Sequence, residues 1–70
     1  MKAANAIAKI DREVAELRAE YRGRRGWGYV KYLSRVLWSI AGMVRRGVWE
    51  PGRGLAAVRE LIDIAKEAYP

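Results

Sequence analysis

Histidine, cysteine, threonine, glutamine and phenylalanine are absent from this chain, and Ser34, Ser39 and Asn5 are its only serines and its only amide side chain. Without cysteine no disulfide can staple the fold. Without cysteine and histidine the usual zinc-ligand spacings are excluded. Catalytic dyads built on histidine or a thiol go the same way. A serine with a lysine base is the one nucleophilic arrangement left, and nothing in the spacing favours it. The sequence therefore reads as non-enzymatic, with no cofactor, no metal and no small-molecule substrate. No run of 18 apolar residues occurs, so no membrane-spanning helix is expected. The apolar stretch at residues 3–8 is broken by Asn5 and followed by Lys9 and Asp11, too short and too polar for a secretory core. A cytoplasmic location is the resulting expectation, with a virion or secreted setting left open.

What is present points to a small folded domain. The 70 residues are 51% hydrophobic and 31% charged, too apolar for a disordered tail. They form one domain, residues 1–70, and a chain this short buries only about 60% of its unfolded surface. Close helix packing or self-association must supply the stability that disulfides and metals cannot. Arginine outnumbers lysine ten to four. Many charges with almost no amides or thiols suit a thermophilic or GC-rich source.

Glycine and proline divide the chain into three helical segments, at roughly 2–21, 29–46 and 51–68. In the first, Ala3, Ile7, Ile10, Val14, Leu17 and Tyr21 recur at alternating spacings of four and three, a heptad seam. Three glycines within residues 23–28 then stop the helix. The second seam is Val30, Leu33, Leu37, Ile40 and Val44, and Gly47 can close that helix in a left-handed conformation. Pro51 suits the first turn of the third helix. Leu55, Val58, Ile62, Ala65 and Tyr69 form the third seam, widened by Leu61 and Ile64. No Ser, Thr or Asp stands where a helix cap belongs. The fold class is all-α, an up-down-up three-helix bundle. The heptads of the first helix would alternatively suit a coiled coil with a second copy. Trp27, Trp38 and Trp49 are each 11 residues apart, a spacing that stacks on an unbroken helix; the glycine breaks make it read as coincidence.

The formal charge of +6 is unevenly placed. Residues 1–20 are neutral and residues 55–70 carry −1. Residues 21–54 carry Arg22, Arg24, Arg25, Lys31, Arg35, Arg45, Arg46 and Arg53 against Glu50 alone. At about 100° per residue, the arc of the second helix opposite its seam holds Lys31, Ser34, Arg35, Trp38, Ser39, Gly42, Arg45 and Arg46. An indole among cations, away from the seam, gains nothing from water alone.

Guanidinium groups fork onto phosphates, and an indole stacks on a base or sugar. The leading expectation is a small basic protein that binds nucleic-acid backbone without strong sequence preference. Its site would comprise Arg22, Arg24, Arg25, Trp27, Lys31, Arg35, Trp38, Arg45, Arg46 and Arg53. The competing expectation is a self-assembling structural or protein-interaction module, a homo-oligomer joined through its aromatic residues as in a filament, coat or scaffold. A third is a helical peptide active at an anionic membrane surface. The blander reading of the same face is a solvated surface on which Trp38 covers the edge of a neighbouring helix. Two acidic clusters, Glu13, Glu16 and Glu20 and then Glu60, Asp63 and Glu67, read as surface ion pairs, since bundle metal sites also use histidine.

Overall fold

The computed structural model describes all 70 residues and consists of three helices, α1 (Ala3–Tyr21), α2 (Trp27–Arg45) and α3 (Pro51–Ala68). Each packs against the other two, and the bundle measures 35 × 16 × 15 Å. This is the expected three-helix bundle. No helix is long and apolar enough to cross a membrane.

The helix ends follow from backbone chemistry, because no side chain caps any N-terminus. Gly47 sits at φ 78° and closes α2. Its N–H bonds the Val44 carbonyl at 3.1 Å, and the Val48 N–H bonds that of Met43 at 2.9 Å. This paired closure satisfies carbonyls that the end of a helix leaves free. Pro51 is the first residue of α3. The expected start of α2 at residue 29 moves to Trp27. Gly23 at φ 76° and Gly26 at φ 92° make the turn between them, so Gly28 is free to lie inside the first helical turn.

All five seam residues of α2 are buried, together with Ser34 and Ala41. In α1 the buried set is Ala6, Ile10, Val14, Leu17 and Tyr21; the expected Ala3 and Ile7 are only half-buried, because Ala6 turns inward at the open end of the bundle. The α1 seam faces α2 and α3, which accounts for its heptads within one chain. In α3 the expected widening fails at Ile64, which is 47% exposed, while Leu61 and Tyr69 pack against the core. Ser34 also departs from its expected place on the polar arc. It is fully buried, and its hydroxyl donates to the Val30 carbonyl at 2.7 Å. That bond to the preceding turn lets a serine be buried without an unpaired polar atom.

Because α2 starts at Trp27, Trp27 and Trp38 lie on one edge of one helix, three turns apart. Their spacing is therefore structural, and only Trp49, beyond the end of α2, stands outside it.

Candidate functional site

Four ion pairs are present, Arg12–Glu16, Arg24–Glu20, Arg59–Glu13 and Lys66–Glu20. Glu13, Glu16 and Glu20 of α1 are thus taken up along α1, by α3 and by the first loop, as expected of surface pairs. Glu60, Asp63 and Glu67 of α3 make none. The strongest contact is Arg59 on Glu13, whose guanidinium donates through Nε at 3.1 Å and Nη2 at 2.8 Å. That hydrogen bond holds the Glu13 carboxyl below its ordinary range, against an opposing contribution from partial desolvation.

No ion pair involves α2. Lys31, Arg35, Arg45 and Arg46 are all exposed and carry unpaired positive charge on one side of the helix. Lys31 and Arg35 are i,i+4 neighbours of like charge, an arrangement that costs an isolated helix about 0.2–0.5 kcal/mol. Arg45 and Arg46 stand at the C-terminus of α2, where the helix dipole favours cations, so part of their placement is structural. From Lys31 to Arg46 the face runs about 22 Å at 1.5 Å per residue.

Trp38 lies at the edge of this face and is 44% exposed. The Arg18 guanidinium of α1 sits 5.3 Å from the centre of its ring and 5.1 Å from that of Trp27. Arg22 approaches Trp27 at 5.7 Å. Trp27 itself is half-buried and packs against the core. An open groove of about 400 Å³ runs between α1 and α2, lined by Ala15, Arg18, Ala19, Arg22 and Trp38.

The structure divides the ten expected residues. Lys31, Arg35, Trp38, Arg45 and Arg46 share the outer side of α2, and Arg22 and Trp27 join them on the side toward α1. Arg24 and Arg25 lie elsewhere, at the end of the bundle beside Ala68, Tyr69 and Pro70. Arg24 is occupied there. It bonds the Glu20 and Pro70 main-chain oxygens, each at 3.3 Å, and lies 4.8 Å over the Tyr21 ring. Arg53 stands at the opposite end, beside Val48, Trp49, Glu50 and Ala57. Sequence reasoning missed Ala15, Arg18 and Ala19, because α1 is neutral overall and its charge gives no pointer; the i,i+4 pair Arg18 and Arg22 on one helix edge is the signal that was there to read.

Comparison with known proteins gives no match, whether against family models, curated proteins or solved structures.

Proposed function

We propose that this protein is a small non-enzymatic nucleic-acid-associated protein that holds the phosphate backbone on the outer side of α2. The observation that supports the reading best is the absence of any counter-charge on that side. Every ion pair is made elsewhere, and four cations with a half-exposed indole are left facing outward. Phosphates spaced along a strand meet that pattern through Arg35, Arg45 and Arg46, with Lys31 as a mobile point charge. The contacts are to backbone, so binding is sequence-tolerant.

Charge reversal tests the reading. Arg35→Glu with Arg46→Glu is expected to weaken oligonucleotide binding at low salt at least tenfold, while Lys66→Glu, on α3, changes it less than threefold. Equal losses would place the contact elsewhere. A homo-oligomer is the second reading, favoured by the exposed Tyr32 and Ile64. Light scattering of the free chain decides it, since a monomer at micromolar concentration excludes such an assembly.

A further inference from the structure

We infer that the groove between α1 and α2 is a nucleobase site, and that the preferred partner is single-stranded nucleic acid whose bases stack on Trp38. This rests on the phosphate-binding reading of α2 and names the kind of strand that side would hold.

The first support is geometric. Trp38 remains 44% exposed although a neighbouring helix runs alongside it. Ala15 and Ala19, one turn apart on α1 and both exposed, leave the space beside it open. Larger side chains there would fill the groove and cover the indole. Its volume of about 400 Å³ lies within the range of small-ligand clefts, about 300–1,000 Å³. Its lining combines a flat aromatic wall, a methyl floor and two guanidinium groups.

The second support is electrostatic. Arg18 is held against Trp27 and Trp38, so its charge stays fixed at the groove with little rotamer freedom left to lose. Arg22 flanks it one turn on. The acids Glu13, Glu16 and Glu20 line the other side of α1, toward α3. Asp11, the nearest carboxylate on the groove edge, falls one turn before Ala15 and outside the lining. The groove thus offers an indole with Arg18 over its ring and Arg22 beside it on α1, while Lys31 and Arg35 stand two turns and one turn before Trp38 on α2.

Base pairing and stacking cover the faces of bases in a duplex, whereas a single strand can present them to an aromatic side chain. A groove built around an indole face therefore discriminates for the single strand, and the cations of α2 serve either form. Ribose and deoxyribose strands share this chemistry.

The test compares a labelled 12-nucleotide dT oligomer, a 12-nucleotide rU oligomer and a 12-base-pair duplex, each titrated with the full chain at low salt. Wild type should bind both single strands more tightly than the duplex and show quenching of tryptophan fluorescence. Ala15→Leu, which fills the groove without changing charge, should weaken single-strand binding about 5- to 100-fold and leave duplex binding within twofold. Trp38→Ala should weaken single-strand binding over the same range. Ala19→Leu serves in place of Ala15→Leu if circular dichroism shows that variant unfolded. Unchanged single-strand affinity in the filled-groove variant, with Arg35→Glu still weakening both forms, would overturn the stacking site and leave the phosphate reading intact. Failure of all three oligomers to bind would overturn both.

Discussion

The hydroxyl of Tyr21, at the end of α1, donates a 2.6 Å hydrogen bond to the main-chain oxygen of Tyr69, just past the end of α3. Tyr21 is the largest fully buried side chain, and this bond ties together two helix ends 48 residues apart in sequence. Tyr21→Phe keeps the ring and leaves the Tyr69 carbonyl without its donor. A loss of about 1 kcal/mol is expected. Urea unfolding checks it, as a lower midpoint with an unchanged slope. A midpoint equal to wild type would mean that solvent satisfies that carbonyl equally well.

Glycine at position 54 sets how closely α3 approaches α2. A Cβ there would collide with the Val44 side chain, while a Cβ at Gly52 meets nothing. Both lie in the first turns of α3, where alanine is intrinsically the better helix former by up to about 1 kcal/mol. Gly52→Ala is therefore expected to raise thermal stability, and Gly54→Ala to lower it despite the same gain in propensity. Two shifts of the same sign in calorimetry would show that the α2–α3 spacing is not fixed by this contact.

The Arg59–Glu13 contact makes stability depend on acid. Glu13 binds its proton less readily folded than unfolded, because protonation breaks the hydrogen bonds from Arg59. Its contribution is complete above the ordinary carboxyl value of 4.5 and is lost as pH falls through the lower, folded-state value. Glu13→Gln should thus be less stable than wild type near neutral pH, and the difference should shrink in strong acid. Thermal melts of both proteins from about pH 7 to about pH 2.5 test this. Parallel curves over that range would contradict it.

The helices were legible in the sequence because their apolar spacing is regular and their breaks carry glycine or proline. The five seam residues of α2 needed nothing but periodicity, and Gly47 and Pro51 behave as their backbone chemistry requires. Ser34 was not legible. A wheel assigns it by polarity, whereas its hydroxyl is satisfied locally by the Val30 carbonyl and so can be buried. Ile64 was misplaced for the converse reason, since α3 has too few neighbours to cover so wide an apolar arc. At the candidate site, the basic side of α2 follows from composition and periodicity together. The stacking of Arg18 on Trp27 and Trp38 depends on how α1 lies against α2, which no single-helix pattern contains.

Trp38 also distinguishes a surface role from a structural one. The Arg18 guanidinium lies over its ring, 5.3 Å from the centre, and the residue is still 44% exposed. Trp38→Ala is expected to cost under about 1.5 kcal/mol, since a half-exposed side chain leaves no enclosed cavity. Leu37→Ala, one residue away and fully buried, should cost about 2–5 kcal/mol, enough to unfold a domain of this size. Circular dichroism of the two variants at 25 °C separates these outcomes. An unfolded Trp38→Ala would make the indole part of the core.

The most direct measurement is the dependence of nucleic-acid affinity on salt. Four to six phosphate contacts, which the unpaired cations of α2 and Arg22 can supply, give log K against log salt a slope of about −4 to −5 on duplex DNA. Reversing Arg35 and Arg46 together should bring that slope about two units closer to zero. A slope near zero for wild type, or no binding at low salt, would contradict the assignment of the outer side of α2 to phosphate.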